Sequence, residues 1–141
     1  NDVNEILVYV DGADEVDTSH NLIKGGGGAH TREKIVASAS NEFVCIVDKS
    51  KLVKALGNFP LPVEVMIKSR SYVAREIVKI GGSPELRKDF LTDQGNQILD
   101  IKDLTINNPL DLEKRINLIP GVLDNGLFAN CKPQKVIVGK D

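Results

Sequence analysis

Apolar runs alternate with glycine-rich and charged segments along this chain, and this alternation predicts strands that alternate with helices. Ile6–Val10 and 43–47 are continuous apolar runs, which are typical of strands buried on both faces of a parallel sheet. Between them, residues 29–40 place Ile35, Val36 and Ala39 on one face of a predicted helix. Strand, loop, helix and strand is the order found in α/β folds.

The second half of the chain predicts a smaller unit of mixed helices and strands. A helix is expected from about Ser69 to Ile80, and a second one begins after Asn108, which is a favoured N-cap residue. The TDQGN sequence predicts a hairpin turn, and 122–129 predicts a late strand. The order over residues 61–129 is therefore β-α-β-β-α-β, the split-βαβ pattern.

Together these elements predict a Rossmann-like α/β domain with a parallel sheet and a smaller α+β lobe of the split-βαβ, ferredoxin-like type. We expect residues 1–60 to form the α/β catalytic domain, with 130–141 returning to it, and 61–129 to form the small lobe. The chain opens almost directly into a strand. We therefore expect the α/β domain to be incomplete at its N-terminus.

Composition and charge exclude several classes of function. Of the 141 residues, 41% are hydrophobic and 27% charged, as expected for a globular domain. The net charge is -2, with both signs intermixed, so we expect no nucleic acid partner. No apolar run approaches the roughly 20 residues that span a bilayer, so we expect no membrane partner. Two cysteines without a pairing motif predict a cytoplasmic protein.

Two carboxylates follow the first predicted strand. Asp11 and Asp14 lie in the sequence DGAD, which is also a common turn signal. The residues that follow are a poor partner strand for a hairpin. Ligands of parallel α/β sheets bind beyond the carboxyl ends of strands. The two aspartates are thus as consistent with a ligand site as with a simple turn.

Four consecutive glycines, Gly25–Gly28, follow Lys24. They match neither common phosphate-binding glycine motif, and a flexible linker is the alternative. Glycine permits positive φ, so successive N–H groups can converge on an anion, and a helix start behind them adds positive potential. An anion-binding loop is therefore favoured over a linker.

Glu33 and Lys24 complete the candidate site. An acid in the first turn of a helix complements the helix dipole, and lysines such as Lys24, Lys49 and Lys51 are usually surface charges. Glu33, however, is expected to project back towards the glycines. Carboxylates, a lysine and amide donors suit proton abstraction beside a carbonyl, in which the donors hold the oxygen that becomes negative. No metal-ligand set is visible in the sequence.

These residues and several later segments resemble the signature blocks of the type A ribose-5-phosphate isomerase family. The resemblance spans nearly the whole chain, in order, which makes it more specific than any one glycine pattern. The matching segments are VYVDGADE (8–15), IKGGGGA (23–29), TREK (31–34), DKSK (48–51), FPLPVEV (59–65), IPGV (119–122) and GLF (126–128).

The resemblance implies an aldose-ketose isomerase that interconverts D-ribose 5-phosphate and D-ribulose 5-phosphate through an enediolate, in the non-oxidative branch of the pentose phosphate pathway. It also implies that no metal or organic cofactor is needed and that the protein forms a homodimer or homotetramer. The implied catalytic residues are Glu33 as the base, Lys24, Asp11 and Asp14. The implied substrate-binding residues are Asp11, Gly12, Ala13, Asp14, Lys24, Gly25, Gly26, Gly27 and Lys51.

One family segment has no counterpart here. The family's Gly-Thr-Gly-Ser-Thr loop, which helps to bind the sugar phosphate, matches nothing in this sequence. We therefore expect a fragment whose activity on its own is doubtful. The alternative function is a sugar-phosphate-sensing regulatory domain of related fold, because fold alone does not fix function. Such a sensor would not need Glu33 or the pair of aspartates.

Overall fold

A computed structural model describes residues 5–139, which form ten strands and three α-helices. The strands are β1 (Ile6–Asp11), β2 (Glu15–Val16), β3 (Leu22–Ile23), β4 (Ser40–Val47), β5 (Leu61–Val65), β6 (Ser83–Leu86), β7 (Gln97–Lys102), β8 (Val122–Asn125), β9 (Leu127–Phe128) and β10 (Lys135–Val138). The helices are α1 (His30–Ala39), α2 (Arg70–Lys79) and α3 (Pro109–Asn117), and short 3-10 turns lie at Lys49–Lys51 and Ile67–Ser69.

The first sheet is parallel, as the sequence predicts. Its strand order is β1-β4-β10, and β4 pairs in parallel with both neighbours. The prediction that β1 is buried on both faces is wrong for the described residues, because Leu7, Val8 and Val10 are all exposed. Their strand hydrogen-bonds to β4 along one edge. The apolar run therefore predicted the strand but not its burial.

The antiparallel sheet of the second half has the order β6-β7-β5-β8. Every neighbouring pair in it is antiparallel, which confirms the split-βαβ prediction. Helix α2 buries Val73 and Ile77 in the core of this sheet, and the Asn108 side chain caps α3 by accepting from the Asp111 N–H. The TDQGN turn is present through the Thr92 N–H to Asn96 carbonyl bond.

A third, small sheet connects the two halves of the chain. Its order is β2-β3-β9, and both pairings are antiparallel. The single strand predicted over 122–129 is therefore wrong, since Gly126 separates β8 in one sheet from β9 in another. The Gly126 N–H donates to the Pro62 carbonyl and its own carbonyl accepts from the Lys24 N–H. This crossing places the chain after β3 against the small lobe.

Helix α1 turns a mostly polar face inwards. The apolar face predicted at Ile35, Val36 and Ala39 is wrong, because Ile35 and Ala39 are exposed and Val36 is only half-buried. The buried residues are His30 and Ala37. Lys34 also lies on the inward face of α1, where an apolar side chain would be expected. Its ammonium donates to Glu113 Oε2 at 2.9 Å, to Asp124 Oδ1 at 2.8 Å and to the Asn125 carbonyl at 2.9 Å. Hydrophobic periodicity cannot identify a face buried through ion pairs.

The domain boundaries at 60/61 and 129/130 remain a prediction. Within residues 5–139, no helix is long and apolar enough to cross a membrane.

Candidate active site

The site is centred on a buried lysine. Lys24 directly follows β3 and is only 4% exposed; its N–H donates to the Gly126 carbonyl at 2.8 Å. Its Nζ lies 3.2 Å from Asp11 Oδ2 and 3.1 Å from Glu33 Oε1, and it donates to the Gly12 carbonyl. The Phe128 ring lies 5.8 Å away on another side. One ammonium therefore joins the end of β1 to the start of α1.

Asp11 is the last residue of β1 and is held as an anion. Its Oδ1 accepts from the Gly12 N–H at 2.8 Å, and its Oδ2 accepts from the Tyr9 hydroxyl. Burial by itself would raise the pKa of Asp11, but the Tyr9 hydrogen bond, the Lys24 charge and the Gly12 N–H outweigh it and lower the pKa. Burial, together with the neighbouring Asp11 carboxylate, raises the pKa of Tyr9. Tyr9 therefore remains a hydrogen-bond donor.

Asp14 fixes the glycine loop. Its Oδ2 accepts from the Gly26 N–H at 2.8 Å. A Cβ on Gly26 would lie 2.8 Å from Asp14 Oδ1, so this close approach needs a residue without a side chain. Gly25 and Gly28 have φ of 103° and 80°, and the Gly28 N–H donates to the Gly25 carbonyl at 2.9 Å. The loop is therefore an ordered turn rather than a flexible linker.

Glu33 lies in the first turn of α1 and faces this loop. Its backbone N–H donates to the Ala29 carbonyl at 3.0 Å, and its carboxylate meets Lys24. Burial raises the pKa of Glu33; the Lys24 charge opposes this shift and the Asp11 and Asp14 charges add to it. A carboxylate with a raised pKa is a stronger base than an ordinary glutamate.

A cavity of about 160 Å³ brings most of the predicted site residues together. Its wall contains acidic, basic and main-chain groups within reach of a small polar ligand. The lining residues are Gly12, Ala13, Asp14, Lys24, Gly25, Gly26, Gly27 and Glu33.

Lys51 lies outside that cavity but next to it. It ends the 3-10 turn after β4 and lines a neighbouring cavity of about 410 Å³, which shares Gly12 and Ala13 with the first. The Asp48 side chain accepts from the Ser50 N–H and shapes this turn. The Lys24 cavity and the cavity lined by Lys51 therefore adjoin at Gly12 and Ala13.

Other features of the described residues do not compete with this site. A larger cavity, about 790 Å³, lies between the segments 53–60 and 102–104 and contains none of the acid–lysine contacts above. Chemistry rather than volume therefore identifies the site. Among residues 5–139, no cluster of three or more His, Cys, Asp or Glu side chains is arranged to hold a metal ion.

Sequence reasoning missed three contributors. Tyr9 could have been found, because it lies two residues before Asp11 and alternate residues of a strand share a face. Phe128 gave no local signal, since it is far from the motif along the chain. The same holds for Arg87, whose guanidinium donates to the Gly25 and Gly26 carbonyls. Separately, the first residue of α1, His30, is fully buried.

Comparison with known proteins places this geometry in a family. The family model described as ribose 5-phosphate isomerase A (phosphoriboisomerase A) matches residues 1–141. The chain belongs to this family. It is 56% identical over 138 residues to ribose-5-phosphate isomerase A of Legionella pneumophila strain Lens, with 98% of this chain and 64% of that protein covered.

Solved structures of family members share the fold. Ribose 5-phosphate isomerase A from Neisseria gonorrhoeae superposes with a TM-score of 0.98 at 53% identity, over 100% of this chain and 63% of that one. The Methanocaldococcus jannaschii structure gives 0.92 at 46% identity, over 97% and 63%. A D-ribose-5-phosphate isomerase in complex with phospho-erythronic acid gives 0.91 at 42%, over 96% and 63%. The chain thus spans about 64% of the length of the curated relatives it matches.

Proposed function

We propose that the protein is an aldose-ketose isomerase that interconverts D-ribose 5-phosphate and D-ribulose 5-phosphate through an enediolate. The observation that carries this proposal is the contact between Glu33 Oε1 and Lys24 Nζ at 3.1 Å, in the wall of a cavity shared with the glycine loop. A base and a fixed cation beside amide donors are what proton transfer next to a carbonyl requires.

In this proposal Glu33 removes the proton from C2 of the open-chain aldose. The electrons of the C2–H bond form the C1=C2 double bond of the enediolate, and the carbonyl electrons move onto O1. Glu33 then returns the proton to C1, while the O2 hydroxyl loses its proton to O1 and becomes the ketone. Atoms and charge balance without an added reactant. The raised pKa of Glu33 favours this exchange near neutral pH.

Lys24 and the N–H groups of the glycine loop stabilise the negative oxygens of the enediolate in this proposal. The ammonium is buried, and an electrostatic contact is stronger away from water. Its place between Asp11 and Glu33 is fixed before substrate arrives, so little reorganisation is needed during the reaction. This preorganisation is the main physical support for assigning Lys24 a catalytic role.

Asp11, Gly12, Ala13 and Asp14 bind the sugar hydroxyls and assist ring opening in this proposal, and Lys51 binds the substrate from the adjacent cavity. The carboxylates and the exposed backbone at the end of β1 supply acceptors and donors for hydroxyl groups. The relative solved with phospho-erythronic acid indicates that a phosphorylated sugar acid binds to a protein of this fold. This likeness supports a pentose 5-phosphate as the ligand.

The proposed setting is the cytoplasm, where the protein would act in the pentose phosphate pathway as a homodimer or homotetramer. Support comes from the free thiols of Cys45 and Cys131, which fit a reducing compartment. Light scattering of the purified protein would measure its oligomeric state.

The proposed reaction is tested by incubating the full-length protein with D-ribose 5-phosphate and following D-ribulose 5-phosphate by NMR. Unphosphorylated D-ribose is the matched control substrate. Ketose formation from the phosphate, with far less from ribose, is the expected result. Saturable binding of the phosphate without any conversion would contradict the proposal and favour a sensing domain.

A further inference from the structure

The glycine loop is held from outside the cavity by the small lobe. Arg87, the first residue after β6, donates from Nη2 to the Gly25 carbonyl and from Nη1 to the Gly26 carbonyl, each at 3.2 Å. The same guanidinium donates to both carboxylate oxygens of Asp100, at 2.9 Å from Nε and 2.6 Å from Nη2. Asp100 lies in β7, so the Arg87 guanidinium is bound to a strand of the antiparallel sheet.

The planarity of the peptide group connects these contacts to the cavity. In a trans peptide the C=O and the following N–H point in opposite directions. With Arg87 holding the Gly25 carbonyl, the Gly26 N–H of the same peptide faces the other way and donates to Asp14 at 2.8 Å. With Arg87 holding the Gly26 carbonyl, the Gly27 N–H likewise faces away from Arg87. Gly27 lines the cavity that contains Glu33.

Phe90 makes a second contact between the small lobe and the glycine loop. The Phe90 ring packs on Gly28 so closely that a Cβ there would lie 2.1 Å from Phe90 Cζ. The Arg87 guanidinium in turn lies 5.2 Å from the centroid of that ring, within cation–π range. The segment 87–90 therefore contacts three of the four glycines.

We propose that Arg87 is a positioning residue for the isomerase reaction: by fixing two peptide planes of the glycine loop, it orients the Gly27 N–H towards the enediolate oxygen. This rests on the function proposed above. Arg87 itself touches no reacting atom in this arrangement. Preorganised backbone donors stabilise a transition state only while their direction is fixed, and a guanidinium fork supplies that direction better than a lysine.

The test compares Arg87→Met with Lys102→Met. Lys102 lies in the same hairpin and forms an exposed ion pair with Glu85 at 3.1 Å, but it contacts no glycine of the loop. In Arg87→Met we expect kcat to fall about 10- to 100-fold with little change in KM, as for a misdirected donor. Lys102→Met should keep wild-type kinetics, and Arg87→Lys should recover part of the loss.

Amide hydrogen exchange gives a readout that does not depend on catalysis. Amide exchange at Gly26 and Gly27 should be faster in Arg87→Met than in wild type or Lys102→Met. Exchange rates of the other amides should not change. If Arg87→Met does not fold, Asp100→Asn leaves the arginine in place with a weaker anchor and should show smaller changes of the same kind. Wild-type kcat together with wild-type exchange at Gly26 and Gly27 would overturn the proposal. A wild-type protein that never isomerises would overturn the function, while the exchange comparison would still decide whether Arg87 fixes the loop.

Discussion

Lys24 Nζ lies between Glu33 Oε1 at 3.1 Å and Asp11 Oδ2 at 3.2 Å, and the two carboxylates that share it have pKa values shifted in opposite directions. Burial raises the pKa of Glu33, whereas hydrogen bonds from Tyr9 and Gly12 help to lower that of Asp11. Environments that separate the pKa values of neighbouring acids are the usual sign of different chemical roles. The arrangement fits Glu33 as the base and Asp11 as a permanent anion.

Replacing Lys24 with methionine should lower kcat about 10²- to 10³-fold, the usual effect of losing a group that stabilises a negative oxygen. It should also move the acid limb of the kcat/KM profile to higher pH, because the Lys24 charge holds the pKa of Glu33 down. Steady-state kinetics across pH measures both effects. Lys54→Met, at an exposed position, is the matched control. A change confined to KM would instead indicate simple attraction of the phosphate.

Asp11 and Glu33 should affect the pH dependence of stability in opposite ways. The lowered pKa of Asp11 gives stability above its unfolded value of about 3.9, and this is lost as pH falls through the folded pKa. The raised pKa of Glu33 gives stability below its unfolded value of about 4.3, and this is lost as pH rises through the folded pKa.

Urea unfolding across the acid range measures these two contributions. The deficit of Asp11→Asn relative to wild type should shrink as the pH falls. Glu33→Gln should instead improve relative to wild type as the pH rises. Parallel curves for both variants would contradict the opposite shifts.

Glu64, a buried acid of the small lobe, should contribute strongly to stability. It is 1% exposed, and its carboxylate accepts from Thr31 Oγ1 at 2.5 Å, Thr92 Oγ1 at 2.6 Å and Asn96 Nδ2 at 3.1 Å. Glu64→Ala leaves these three donors without their acceptor and should lower the free energy of unfolding by about 3–5 kcal/mol. Glu85→Ala, at an exposed acid of the same sheet, should cost less than about 0.5 kcal/mol. Equal midpoints in urea would show that the Glu64 network is not stabilising.

Lys51 should contribute to binding rather than to turnover. Lys51→Ala should raise KM about tenfold, the usual scale for a charge-assisted hydrogen bond, and leave kcat nearly unchanged. Lys49→Ala, in the same 3-10 turn but exposed, controls for net charge and should have little effect. Higher salt should reduce the difference between the two variants. A large fall in kcat for Lys51→Ala would contradict a binding role.

The sequence predicted those parts of the fold that depend on local pattern. The parallel strands follow from the apolar runs. The cap at Asn108 follows because an asparagine side chain accepts a hydrogen bond from an unpaired backbone N–H at the start of a helix. The inward face of α1 could not be predicted, because Lys34 is buried through ion pairs with Glu113 and Asp124, which lie far along the chain. The break at Gly126 also depends on a tertiary contact, its fit against Lys24 and Pro62.

The candidate site divides in the same way. Asp11, Lys24 and Glu33 were predictable because strand ends and helix starts converge at one edge of an α/β sheet. Arg87 and Phe128 were not, since their contacts with the site exist only after the small lobe packs against the glycine loop. Local sequence thus identifies the groups proposed to react, whereas the groups proposed to orient them come from distant segments.

The central claim, that Glu33 transfers the proton, is tested most directly by deuterium exchange into D-ribose 5-phosphate in D₂O. Wild-type protein should introduce deuterium at C2, and Glu33→Gln should slow this exchange about 10²- to 10⁴-fold while binding the sugar phosphate with nearly the wild-type Kd. Exchange by Glu33→Gln at the wild-type rate would contradict the claim.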